Sequence, residues 1–425
     1  MRVSPPVCLR WLPLASAFCW SPSVQAVELT DWLKLDAFGT LAAYQADDPV
    51  AGVRADQRTS QVTTNKDWRF DGDSQLTTQF TLNPQGRVRG VLQLLAKDDV
   101  TERFKPRVEW LYAGWEATPN LSLKLGRVVA PVFLMSDTRN VGYAQTSVRP
   151  NQALYQVNPI TSIDGANLSW STALGGGNLG LEAAVGKTEL NLSAGSIDVK
   201  RTATVAARWT QGPLTLRLGH TTFKLDGNLP ATQAALNTLS SGATGCTNCA
   251  AVFAQRFNFK NIQGRITTVA ASYEVGDLML QGEWASRPSD SALVPDVKGW
   301  YAQVAYRFGS WTPYAAVGAR KLKEPPLGLT TSPAAPPAAA AANALFDHYL
   351  QNPNDRETRQ LGVRWDFREN FALKLQYESI KHTRAPFLGV NGVVFSPTPR
   401  PIGTYTGPAW DGKVNVVSVN LDFVF

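Results

Sequence analysis

The charged residues of this 425-residue chain recur at every second position, and few of its other residues are equipped for catalysis. Arg87 and Arg89 share that spacing, as do Arg364 and Asp366, the run Lys374, Gln376 and Glu378, and the run Ser418, Asn420 and Asp422. Alternate residues of a strand share a face, so such runs build a polar wall rather than a convergent catalytic cluster. Nucleophilic catalysis needs a nucleophile, a base and an orienting group within hydrogen-bond reach. The three histidines, His220, His348 and His382, sit in no such pattern. One sulfur motif stands out, Cys246-Thr247-Asn248-Cys249. With Cys8 and Cys19 of the N-terminal segment set aside, no second cysteine pair and no nearby histidine completes a zinc site. In an exported chain the pair reads as a small disulfide staple in a loop.

The elements that must position these charges are strands. Period-two apolar runs begin at Leu33, Leu35, Ala37 and continue through Leu76, Thr78, Phe80, Leu82 and Val88, Gly90, Leu92, Leu94 to Val417, Val419, Leu421, Phe423 and Phe425. They total about sixteen strands of roughly ten residues, the length of a tilted strand crossing a bilayer core. Connections alternate between short turns, such as Asn83-Pro84-Gln85-Gly86 and Thr118-Pro119-Asn120, and long segments. The long ones are expected at 45–67, 97–106, 131–163, 191–199, 226–263, 288–297, 324–356 and 384–411. A soluble sandwich has no reason to gather its long loops at one end, whereas a transmembrane barrel does. No mature segment approaches the roughly 20 consecutive apolar residues of a membrane helix. The mean hydropathy of −0.16 fits strands whose two faces cancel.

The first residues look like a targeting segment. Arg2 and Arg10 are followed by a short apolar stretch from Trp11 to Trp20 and by Val24-Gln25-Ala26, a small-x-small cleavage pattern. Cleavage after Ala26 leaves residues 27–425 as one barrel and lowers the net charge from +7 to +5.

With the apolar parity facing lipid, the opposite parity faces a lumen. It carries Arg87, Arg89, Lys124, Arg208, Arg217, Glu283, Arg307, Arg364 and Asp422. A dry core could not hold so many charges, because burying an unpaired ion costs several kcal/mol or more; a water-filled channel can. Trp170, Trp209, Phe308, Trp365, Phe367, Phe371, Phe423 and Phe425 all fall beside short turns or at the terminus, on the apolar parity. That is the placing of an interfacial aromatic girdle.

At this point the chain resembles the Gram-negative general porins, a family of sixteen-stranded outer-membrane β-barrels. Two passages carry the resemblance beyond the strand pattern. Leu125-Gly126-Arg127-Val128-Val129-Ala130-Pro131 is similar to the passage by which such porins leave strand five, and the terminal strand is similar to the aromatic signal read by the barrel assembly machinery. The resemblance implies an all-β transmembrane antiparallel barrel with short periplasmic turns and long extracellular loops. It implies passive diffusion of small hydrophilic solutes or ions through a water-filled channel in the outer membrane of a Gram-negative bacterium. It further implies a homotrimer among outer-membrane lipids, with Phe425 as assembly signal and with neither cofactor nor metal, catalysis nor nucleic-acid partner. Residues 131–163 would constrict the pore, bringing Asp137, Arg139 and Arg149 towards the wall with Arg127 at the loop's root. General porins oppose acidic loop residues to a basic wall ladder, for which Arg87 and Arg89 are candidates here. Arg139 and Arg149 depart from the acidic-loop pattern and lean the pore towards anions. A barrel enzyme of phospholipase or protease type, and a substrate-selective channel of the same fold, are the alternatives.

Overall fold

The computed structural model describes residues 27–48, 51–54, 56, 58–59, 66–192, 195–323, 327–337, 339–340, 343, 355–382, 393–395 and 412–425. Sixteen antiparallel strands form one closed ring. They are β1 (Leu33–Ala46), β2 (Gln75–Leu82), β3 (Val88–Lys97), β4 (Arg107–Thr118), β5 (Leu121–Val129), β6 (Ser162–Leu174), β7 (Gly177–Leu192) and β8 (Gly195–Gln211). The ring continues with β9 (Leu214–Asn228), β10 (Ile262–Val275), β11 (Leu278–Arg287), β12 (Val297–Tyr306), β13 (Trp311–Leu322), β14 (Arg356–Arg368), β15 (Phe371–His382) and β16 (Lys413–Val424). β16 returns to β1 with Val416 opposite Ala46 and Leu421 opposite Leu41. Phe425 and Ala37 exchange backbone hydrogen bonds of 2.9 and 2.6 Å beyond the end of that pairing. Closure removes both sheet edges, which hydrocarbon could not otherwise tolerate. A short extra strand, Val27–Thr30, folds back on the start of β1, and Ala51–Val53 pairs with Val393–Phe395 outside the ring.

The faces are inverted relative to a soluble protein. Along β1, Thr40, Ala42 and Tyr44 are buried inside while Leu41 is 62% exposed; on β14, Thr358 and Gln360 are buried while Leu361 is 62% exposed. Exposed Leu, Val and Trp side chains continue around the outer wall, as expected where the surrounding solvent is lipid. At the short-turn end the aromatics form a chain of ring contacts. Trp311 stacks on Trp365 at 4.8 Å, and the series continues through Phe367 and Phe371 to Phe425 and Phe423.

One expected loop is shorter than the sequence suggests. The segment 191–199 is largely strand, because β7 runs to Leu192 and β8 starts at Gly195, with Leu190 opposite Ile197 and Thr188 opposite Val199. Leu190 and Val199 are buried on the inner face while Glu189, Asn191, Asp198 and Lys200 are exposed on the outer one. The alternation therefore persists there with its phase inverted, apolar residues inward and polar residues outward. Two helices, Pro230–Ser240 and Cys249–Arg256, fill the long connection after β9. They pack Leu236, Leu239, Phe253 and Phe257 against Ala292 and Leu327 of the neighbouring loops. Cys246 and Cys249 are joined by a disulfide at the start of the second helix.

Candidate functional site: a loop folded across the lumen

The connection after β5 turns inward. Gly126 adopts φ +129°, and a Cβ there would meet the Leu111 carbonyl oxygen at 2.3 Å, so only glycine fits this close strand approach. Beyond it, residues 130–161 cross the barrel interior and are tied to the wall along their length.

The first leg is held by β8–β11. Arg217 donates to the carbonyls of Pro131 and Val132, and the Thr268 hydroxyl donates to Val132 at 3.0 Å. Glu283 accepts from the Leu134 backbone N–H at 3.1 Å and from the Tyr155 hydroxyl at 3.1 Å. Arg208 donates to the Leu134 carbonyl at 3.1 Å. Phe133 packs on Tyr155 with ring centroids 4.9 Å apart, inside an apolar cluster with Val132, Leu154 and Val157. Burial and the neighbouring Glu283 charge push the Tyr155 hydroxyl well above the usual tyrosine range, so it stays a neutral donor.

The middle leg lies on β14–β16 and β1. Lys374 donates to the carbonyls of Gly142 and Ser147 at 2.7 and 3.1 Å and pairs with Asp422 at 2.8 Å. Asp422 also accepts from the Thr40 hydroxyl. Gly142 sits so close that a Cβ would fall 2.2 Å from an Asp422 oxygen and 2.3 Å from the Thr40 hydroxyl. Arg364 reaches the carbonyls of Tyr143 and Gln145 at 2.6 and 3.0 Å. Arg149 is buried and forms ion pairs with Asp73 at 2.5 Å and Glu378 at 3.4 Å. Burial would lower its pKa, but those carboxylates outweigh burial and hold it above the usual arginine value.

The last leg contains one helical turn, Gln152–Tyr155, capped by the Asn151 side chain accepting from the Ala153 N–H at 3.0 Å. Arg356 binds the Gln152 carbonyl, Arg287 donates to the Val157 carbonyl at 2.6 Å, and Arg139 closes the loop on itself through the carbonyls of Asn158 and Tyr155.

The residues expected to line the channel therefore divide into groups. Arg139, Arg149, Arg217, Glu283, Arg364 and Asp422 hold the loop. Asp137 stands exposed in a recess shared with Glu116, Ser122, Glu182, Arg208 and Arg217. Lys124 lies over the Tyr112 ring at 5.4 Å and within electrostatic reach of Glu182, Arg89 and Asp137. Arg89 pairs with Glu116 at 2.9 Å, and Arg127 makes a two-pronged contact with Asp164 at 2.7 and 2.8 Å. Arg87 and Arg307 are exposed beside the short turns that follow β2 and β12, away from the loop. Lys374 and Glu378, expected only as part of the inward polar wall, and Tyr155, expected only as a residue of the crossing segment, are anchors as well. Asp73 is an anchor that the sequence did not single out. An inward lysine such as Lys374 has to find a charge or several acceptors inside the barrel, and that requirement was the available signal.

His220 lies on an exposed position of β9 with Nδ1 3.0 Å from the Thr267 hydroxyl, and His382 is buried in β15; His348 falls outside the described residues. Among the described residues, no group of three His, Cys, Asp or Glu side chains is placed to hold a metal ion.

Several solved structures share the fold. An outer-membrane-expressed OmpT of Vibrio cholerae aligns with TM-score 0.53 and 11% identity over 94% of this chain and 100% of that one. The outer-membrane channel DcaP of Acinetobacter baumannii aligns with TM-score 0.53 and 10% identity over 94% and 100%. An anion-selective porin from Comamonas acidovorans aligns with TM-score 0.51 and 15% identity over 92% and 100%. No curated protein sequence matches the chain. The family profile described as Gram-negative porin matches residues 14–385. The chain belongs to the Gram-negative porin family, outer-membrane channels for passive diffusion with short periplasmic turns and long extracellular loops.

Proposed function

We propose that small hydrophilic solutes pass between the exposed side of the 130–161 loop and the wall built by β3–β9, and that anions pass more readily than cations. One observation carries this reading: Arg208 and Arg217, in the recess around Asp137, spend their hydrogen bonds on neutral carbonyl and hydroxyl oxygens. Among the described residues neither forms an ion pair; Glu283 lies within electrostatic reach of both and offsets part of their charge, and the remainder acts on the passage. Asp137 opposes Lys124 and Arg208 across the same space, giving a transverse field that orders water and favours polar solutes. Arg89 and Arg127 contribute less because Glu116 and Asp164 offset them.

The same reading makes the protein a passive channel with no catalytic step, exported by cleavage after Ala26 and assembled as a homotrimer by machinery that reads the terminal Phe425. Chemical crosslinking of the detergent-solubilised protein tests the trimer, and N-terminal sequencing of the mature chain tests the cleavage site. Ion preference is tested by the reversal potential of purified protein in a planar bilayer under a salt gradient. A cation-favouring potential would overturn the proposed selectivity.

A further inference from the structure

The inner wall changes character towards the long-loop end of β7–β10, β12 and β13. Inward positions that are polar at mid-height become Leu190, Val199, Phe223, Leu225, Val297 and Leu322, all buried. They do not close completely on the loop. A cavity of about 200 Å³ remains, walled by apolar side chains of the barrel, by Val157 and Ile160 of the crossing loop, and by Leu293 and Val294 of the connection before β12. A solvent-filled lumen gives no reason to spend apolar side chains on its inner face.

One end of this cavity is cationic. Arg287 and Arg320 line it beside Gln156. Arg320 and Arg356 both donate to the same Gln156 amide oxygen, at 3.5 and 2.9 Å, so two guanidinium groups converge on one neutral acceptor. Arg287 gives its terminal nitrogens to the carbonyls of Val157 and Pro295, at 2.6 and 3.1 Å. The Nε of Arg287 is buried without a hydrogen-bond partner. Arg356, 1% exposed and bonded to Gln156 without itself lining the cavity, leaves its Nε and Nη1 unpartnered as well. Asp296, Asp355 and Glu378 act on the cluster electrostatically. Asp296 is also engaged by the Ser289 N–H, Asp355 by the Leu322 N–H, and Glu378 by Arg149 and Gln360. Unsatisfied buried donors are costly, and a carboxylate is the acceptor that matches a guanidinium fork.

We propose that this cavity binds a small carboxylate with an apolar body, such as an aromatic or short-chain aliphatic monoacid, its carboxylate at the Arg287–Arg320 end and its body among Val199, Phe223 and Leu225. It is a saturable station on the extracellular side of the crossing loop, and relies on the channel reading only for access. Equilibrium binding is therefore measured apart from conduction.

The probe is isotopically labelled benzoate, titrated into the reconstituted full-length protein and followed by NMR, with acetate and benzyl alcohol as controls lacking the ring or the charge. Benzoate should saturate with an affinity at least tenfold above either control. Ile197→Trp, which fills the cavity from a partly buried wall position, should weaken benzoate binding at least tenfold while chloride conductance persists. Arg287→Gln should weaken benzoate by a similar factor and leave benzyl alcohol unchanged. Benzoate binding no tighter than acetate, or unchanged binding in a conducting Ile197→Trp protein, would overturn the proposal and leave the arginines as loop anchors alone. A non-conducting protein that still binds benzoate would overturn the channel reading and not this one.

Discussion

Lys374 and Asp422 form a 2.8 Å ion pair in which neither side chain keeps any contact with solvent. They sit on adjacent strands, β15 and β16, two residues out of register with direct opposition, Lys374 lying opposite Asn420 and Asp422 opposite Ala372. The pair does more than satisfy itself, because Lys374 also holds two loop carbonyls and Asp422 also holds Thr40. The seam between the last strands and the first is thereby made the platform for the crossing loop.

Removing one partner should be far worse than removing both. Asp422→Asn leaves an unpaired buried ammonium and is expected to destabilise the barrel by about 3–5 kcal/mol, whereas Lys374→Met combined with Asp422→Leu should recover much of that. Heat-modifiable electrophoretic migration of the three proteins measures the ranking. The double variant still loses two loop anchors, so its single-channel noise should exceed that of the parent even where stability returns.

Gly142 tests whether the loop rests on that seam. The Cβ of Gly142→Ala would overlap Asp422 and Thr40, and the backbone must retreat towards the lumen. Single-channel conductance should fall while the melting temperature of the barrel changes little.

At the passage itself, Asp137 is the exposed acidic residue facing Lys124 and Arg208. Asp137→Asn removes a negative charge without changing shape, so the ratio of chloride to potassium permeability should rise. An unchanged ratio, read from reversal potentials, would place Asp137 away from the ion path.

The disulfide at Cys246 and Cys249 closes a ring of only a few residues, for which loop-closure entropy gives roughly 2 kcal/mol of local stabilisation. It staples the outer helical cap and touches no strand of the ring. Reduction should speed proteolytic cleavage within 229–261 and leave the barrel's melting temperature unchanged.

Much of the barrel could be read from the chain alone, because the signal for a two-faced strand has period two and is local. Leu41 and Leu361, exposed to lipid, and Gln376 and Ser418, buried inside, follow the alternation of the sequence. The reading failed at Leu190 and Val199, where the alternation continues but is reversed, with the apolar residues inside and Glu189, Asn191 and Asp198 outside. The site was less legible for a different reason. Whether an inward arginine faces water or pins the loop depends on partners remote in sequence. Arg149 and Glu378 are separated by 229 positions and Tyr155 and Glu283 by 128, and no local pattern encodes such meetings. Arg149 and Arg208 are both inward arginines, yet one pairs directly with Asp73 and Glu378, while the other's hydrogen bond goes to the Leu134 carbonyl and it feels Glu283 only at a distance.

The central claim is that a basic wall, incompletely neutralised, governs what passes the crossing loop. The most direct measurement is the reversal potential of the wild-type protein and of Lys124→Gln combined with Arg208→Gln, in planar bilayers under the same potassium chloride gradient. The account predicts an anion-favouring potential in the wild type that moves towards or past zero in the double variant. A cation-favouring wild type, or an identical potential in the two proteins, would contradict it.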